Sequence, residues 1–143
     1  MGDFDCCVPV ERVERLAFFV PGTPIQQGSK TVYNGRAVDA NTKRLKPWRA
    51  HVTGAAVEAL AGREGFAPDT EIAVLYDFYF TQPKTVTRRR PNVRPDLDKL
   101  ERAISDALTD AHVWADDGQV VNSHTQKWYA ETPGVHITVL ELA

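Results

Sequence analysis

Apolar positions along the chain fall into runs of period two and runs of period 3.6, and the two kinds predict different elements. "RLAFFV" (15–20) is a short apolar run stopped by "PGTP", which reads as a buried strand. "TVYNGRAV" places Asn34-Gly35 between two short β-prone pieces, the signal of a type I′ hairpin. From Pro47 to Leu60, the residues Trp48, Val52, Ala55, Ala56, Ala59 and Leu60 form one helical stripe; Pro47 suits the first turn and Gly62 the C-cap. "EIAVLYDFYF" (71–80) alternates, with Ile72, Val74, Tyr76, Phe78 and Phe80 facing one way, so it predicts a strand. The stretch 81–94 is rich in proline and like charge, which predicts an irregular loop. Leu97, Leu100, Ile104 and Leu108 then mark a second helix from about Leu97 to Ala111 with an apolar face to cover. "QVVNSHTQKWYA" and "GVHITVLEL" read as two closing strands. Strands and helices are mixed without strict βαβ alternation, so the expectation is α+β: a small mixed sheet with about two main helices packed on it.

A chain of 143 residues is long enough to bury a core without staples, and the expectation is one domain over 1–143. No apolar run approaches the roughly 18 residues a membrane helix needs, and "MGDFDCCVPV" has no basic n-region, so neither a membrane partner nor a signal peptide is expected. Cys6 and Cys7 are adjacent and the only cysteines, which excludes a disulfide framework and a four-ligand zinc site and suits the reducing cytoplasm. The histidines at 51, 112, 124 and 136 show no ligand spacing, and Trp48, Trp114 and Trp128 are expected in the core. "GTPIQQGSKT" resembles a phosphate loop, but the glycine spacing is off by one and Asn34-Gly35 breaks the chain where a helix would have to follow.

Charge changes the picture. The net charge of −2 argues against nucleic acid, yet the charges are segregated. Residues 30–49 carry Lys30, Arg36, Lys43, Arg44, Lys46 and Arg49 against Asp39 alone. Residues 84–94 carry Lys84, Arg88, Arg89, Arg90 and Arg94 against no acid, so six plus five of the 17 basic residues sit in two windows. Of these, Lys30, Arg44, Lys46, Arg49, Lys84, Arg88, Arg89, Arg90 and Arg94 are expected to hold DNA phosphates.

Directly after the second window, "VRPDLDKL" puts Asp96 at an N-cap and Asp98 in the first turn of the second helix. Capping and the helix dipole would explain both acids without any function. Asp116 and Asp117 follow the helix in "HVWADDGQV", about 20 Å further along unless the next strand brings them back beside the helix start. Carboxylates that converge repel one another unless protonated or metal-bound, and hard oxygen ligands suit Mg²⁺ or Mn²⁺.

The stretch "RPDLDKLERAISDALTDAHVWADDGQVV" closely resembles the central signature of the RusA-type Holliday junction resolvases: an Arg/Pro-rich lead, D-L-D-N, a basic residue four after the second Asp, D-A-L, then W-x-D-D-x-Q-V. The spacing from Asp96 to Asp117 matches without a gap, and "VPGTPIQQGSK" and "KRLKPWR" are similar to phage-encoded members. The resemblance implies a Mg²⁺-dependent endodeoxyribonuclease, with Mn²⁺ as a substitute, acting as a homodimer that resolves four-way DNA junctions by paired symmetric nicks in a bacterial or phage-infected cell. It implies metal ligands at Asp96, Asp98 and Asp117, with Asp116 beside the last, and a catalytic cation at Arg102. Two positions depart from the pattern. Lys99 stands where the family has Asn, and Arg102 stands where a Lys is expected; an arginine keeps an electrostatic role but not that of a neutral amine. Two other readings use the same residues: a less selective nuclease of branched DNA, and a catalytically silent DNA-binding module in which Lys99 replaces the ion.

Overall fold

A computed structural model of the chain describes residues 11–28, 30–33, 36–39 and 42–142, with residues 30–33, 36–39 and 42 described as backbone only. Cys6, Cys7 and the Asn34-Gly35 turn lie outside them. The elements in chain order are β1 (Arg15–Pro21), β2 (Lys30–Tyr33), β3 (Arg36–Asp39), α1 (Thr42–Leu60), β4 (Ile72–Phe80), α2 (Leu97–Asp110), a single 3₁₀ turn (Asp117–Gln119), β5 (Val120–Tyr129) and β6 (Gly134–Glu141). β1, β6, β4 and β5 form a four-stranded sheet in that order, and β2 and β3 form a separate antiparallel pair. The register Tyr33↔Arg36 leaves two residues to link β2 to β3, as the Asn-Gly signal requires. The architecture is α+β. No helix among the described residues is long and apolar enough to cross a membrane.

Alternation in β4 does what period two predicts: Ile72, Val74, Tyr76 and Phe78 are wholly buried. They face Leu100, Ala103, Ile104, Ala107 and Leu108, the apolar stripe of α2. Tyr76 and Ser105 share a hydrogen bond of 3.1 Å across this interface, which seats α2 over the middle of the sheet. The Tyr76 phenol lies well above its usual range; burial is the larger cause of its surroundings' effect, and the Ser105 bond opposes it. Helix α1 packs its Trp48, Val52, Ala56 and Leu60 row into the same core.

Two sequence expectations are corrected. Helix α1 begins at Thr42, so Pro47 lies inside it rather than in its first turn. Trp128 is only half-buried, on the open face of β5, where its indole N–H donates to Asp77 at 2.9 Å. The sheet is mixed, as expected. β4 and β5 pair in parallel, with α2 as the crossover, so one βαβ unit sits inside the otherwise antiparallel sheet. That crossover makes β5 run back along α2, so its late residues, and not its early ones, return to the start of the helix.

Candidate active site

The chain enters α2 through Arg94-Pro95, a cis peptide, and Asp96, whose extended backbone (φ −73°, ψ 136°) marks the N-cap. Asp96 does not use its carboxylate as a cap: no backbone N–H of the helix bonds to it. Its amide donates to the side-chain oxygen of Gln26 at 2.6 Å, and its carboxylate lies 3.6 Å from Nζ of Lys99, one turn on. Capping, the bland explanation for this acid, is therefore absent. Asp98 is exposed in the first turn, where the helix dipole stabilises its charge. Arg102, also exposed, stands four residues further on and so shares its side of the helix.

Two other segments hold this helix start in place. Lys127, on the α2 side of β5, donates to the carbonyls of Val93 at 2.7 Å and Pro95 at 2.8 Å. Burial lowers the pKa of its ammonium from the ordinary lysine value, and the nearby Asp96 charge acts in the opposite direction. The loop 23–28 forms the second support: besides the Gln26 bond, the Gln27 amide donates to the Lys99 carbonyl at 3.2 Å, and the Gln27 side chain donates to Asp106 at 3.1 Å. The stretch that imitates a phosphate loop is a strap along α2.

Asp116 and Asp117 occupy the other end of the crossover. Asp116 accepts from the Gly118 amide at 3.0 Å, and Gln119 in turn accepts from the Asp116 amide at 3.1 Å, a reciprocal cap that builds the 3₁₀ turn. Asp117 is exposed, and its pKa is raised by partial desolvation, then by its hydrogen bond with Asp116 and by the charges of Asp116 and Asp106. Asp106 follows Asp98 by eight residues, about 12 Å of helix. Asp96 and Asp98 thus share the start of α2, whereas Asp117 follows its far end. Among the described residues no group of three His, Cys, Asp or Glu side chains is placed to hold a metal ion.

The basic windows divide by role. Arg49 is engaged within the fold, donating to Asp110 from two nitrogens at 2.8 Å and lying 3.8 Å from Asp106, which ties α1 to α2. Arg44 and Lys46 are exposed at the start of α1, and the side chain of Lys30 on β2 lies outside the described residues. In the loop 81–94, Lys84 and Arg89 are exposed, Arg88 is half-buried, and the Arg90 guanidinium stands 4.5 Å from the centre of the Trp128 ring. Arg94 lines a cleft together with Arg44 and Lys99, so the two windows meet beside Asp96. Gln26, Asp106 and Lys127 are the participants that the sequence does not mark. A lone lysine in an alternating strand carries no signal of its own, and Gln26 lies in a stretch identifiable only as a failed phosphate loop.

The sequence model of a known family, described as endodeoxyribonuclease RusA, matches residues 21–140, which takes in both supports and both acidic pairs. The chain belongs to the RusA endodeoxyribonuclease family. Among curated proteins it is similar to the uncharacterized protein YqaN of Bacillus subtilis (strain 168), at 25% identity over 142 residues, which covers 90% of this chain and 97% of that one. In this RusA-family chain a lysine, Lys99, stands in ion-pair range of Asp96.

Proposed function

We propose that the protein is a Mg²⁺-dependent endodeoxyribonuclease that resolves four-way DNA junctions as a homodimer. The observation that carries this reading is the pair Asp96 and Asp98 at the start of a helix, the first without a capping bond, flanked by Arg94 and Arg102. Mg²⁺ binds proteins through one or two carboxylates and completes its shell with water and substrate phosphate, so the pair fits such an ion. When bound, the cation supplies Lewis acidity at the scissile phosphate. The chain's own residues do the rest. Arg44, Lys46 and Arg88–Arg90 hold neighbouring phosphates, Arg102 neutralises charge that develops at phosphorus, and Lys127 and Gln26 fix the backbone that carries Asp96.

Asp117 enters the reading through the second copy. It follows the far end of α2, and among the described residues no three acids are placed to share an ion, so in the proposed dimer Asp117 of one copy completes the site of the other. Two such sites related by a two-fold axis match the symmetry of a four-way junction and the paired nicks it needs.

The test compares a labelled four-way junction with a duplex of the same sequence, with Mg²⁺ or with chelator. Junction cleavage that needs the metal, and is lost in Asp98→Asn while binding persists, is expected. Binding without cleavage by the parent protein under any divalent ion would favour the silent module, in which Lys99 stands in for the ion. Equal cleavage of junctions, flaps and forks would favour the less selective nuclease.

A further inference from the structure

Beside the carboxylate pair lies a cleft of about 530 Å³, well within the range of small-molecule sites and larger than a bare phosphate needs. Its lining has two chemistries. Arg44, Arg94 and Lys99 supply three cations, and among the described residues no acid lines it. Phe80, half-buried at the end of β4, and Pro95 supply apolar and aromatic surface. Gln26 joins the cleft to the site, since it lines the one and holds the Asp96 amide of the other. Pro95 and Lys99 likewise border both. The cations come from three separate elements: Arg44 from α1, Arg94 from the loop and Lys99 from α2.

We propose that this cleft holds one nucleotide of the DNA strand next to the cleaved bond, its phosphate on Arg44, Arg94 and Lys99 and its base against Phe80. Cations alone would suit any anion. An aromatic ring that lines the same cleft as three cations suits a phosphate with a planar base attached, because every base presents a face for stacking. The shared wall with Asp96 makes the occupant a neighbour of the scissile phosphate and not a remote anchor. Lys99, the departure from the family's Asn, then has a use besides its ion pair: it extends positive charge from the acidic pair into the cleft. Holding a nucleotide here requires that it leave its base pair, which is least costly where strands exchange at a branch point.

This inference rests on the reading of the chain as a DNA nuclease, and its test is independent of cleavage. ¹⁵N-labelled Asp98→Asn protein in chelator is titrated with thymidine 5′-monophosphate, thymidine, inorganic phosphate and the single-stranded tetranucleotide of thymidine, and amide shifts are followed by NMR. The expected result is saturable shifts at Gln26, Gly28, Phe80 and Lys99 with the monophosphate and the tetranucleotide, the tetranucleotide acting at lower concentration. Thymidine alone should leave them unmoved. Arg44→Gln with Arg94→Gln, both at exposed positions, should weaken binding about tenfold or more, and Phe80→Leu should weaken the nucleotide while sparing phosphate. Phosphate reproducing the full pattern at the same concentration would overturn the nucleotide assignment. A mononucleotide that binds when the tetranucleotide does not would overturn the assignment to a strand, and shifts confined to residues 88–90 would overturn the cleft. Loss of the cleft signal in a protein whose parent form cleaves junctions retires this inference alone; an intact cleft signal without junction cleavage retires the nuclease reading and the placement next to a cleaved bond, and leaves a nucleotide cleft.

Discussion

Replacing Lys127 with Met removes the ammonium but keeps most of the side-chain stem, so packing against α2 changes little. Two hydrogen bonds from a charged donor disappear, to the carbonyls of Val93 and Pro95. Bonds to charged groups contribute about 1.5–3 kcal/mol each. Val93 is 48% exposed, so water can replace the ammonium on that side, and burial already disfavours the charged lysine. The expected loss of stability is therefore about 1–3 kcal/mol in total, read from the urea midpoint at unchanged slope. The functional loss should be larger. With its preceding carbonyls released, Asp96 loses one of the two supports of its backbone and keeps the Gln26 bond and the Lys99 ion pair; a displacement near 1 Å at a reacting group can cost on the order of a hundredfold in rate. Single-turnover junction cleavage, measured where the variant is fully folded, should fall tenfold or more while the junction Kd changes by less than about threefold. Lys127→Arg, which keeps the charge, should recover part of the rate. A Met variant that cleaves like the parent would refute the positioning argument, and equal losses in rate and affinity would mean that Lys127 touches DNA.

Arg88, Arg89 and Arg90 changed together to Ala should flatten the salt dependence of junction binding, by about 0.9 in the log–log slope for each phosphate that is no longer neutralised. Because Arg90 stands over Trp128, Arg90→Ala alone should also alter tryptophan emission, and an unchanged slope would reduce the run to a solvated loop. Arg102→Lys should retain much of the cleavage that Arg102→Ala loses, since the proposed role is charge; equal rates in all three proteins would remove Arg102 from the site. Asp117 gives a pH test. Its pKa is higher in the folded chain than in the unfolded one, so its charge costs stability at neutral pH, and that cost vanishes as pH falls through the raised value toward the unfolded one. Asp117→Asn should be slightly more stable than the parent at pH 7 and low salt, with the gap closing on acidification; a gap that widens would contradict the assigned shift.

Periodicity carried most of the fold, because β4 and α2 bury their apolar rows so completely that a one-residue slip would expose them. It failed where a tertiary partner decides. Trp128 looks like a core residue in sequence and becomes half-buried because β5 is an edge strand whose open face offers Asp77 and Arg90. Pro47 fits a first turn by propensity, yet α1 starts at Thr42. The acidic positions were legible as a spaced motif, but spacing along a chain does not encode separation in space. The parallel β4–β5 ladder carries Lys127, and not Asp117, back to the helix start, and only the strand order reveals that. Gln26 and Lys127 act through backbone atoms of other segments, which leaves no mark in a single sequence.

The central claim is a reaction centre shared between two copies, with Asp96 and Asp98 from one and Asp117 from the other. Its most direct test is the purified heterodimer of Asp98→Asn and Asp117→Asn, made by co-expression with two different tags. Each variant alone should be inactive as a homodimer. In the heterodimer, a shared centre leaves one site with both lesions and the other with none, so the account predicts that single-strand nicking of a labelled four-way junction in Mg²⁺ returns to about half the parent rate. A heterodimer as inactive as either parent variant would place all three aspartates in one chain's site and contradict the account.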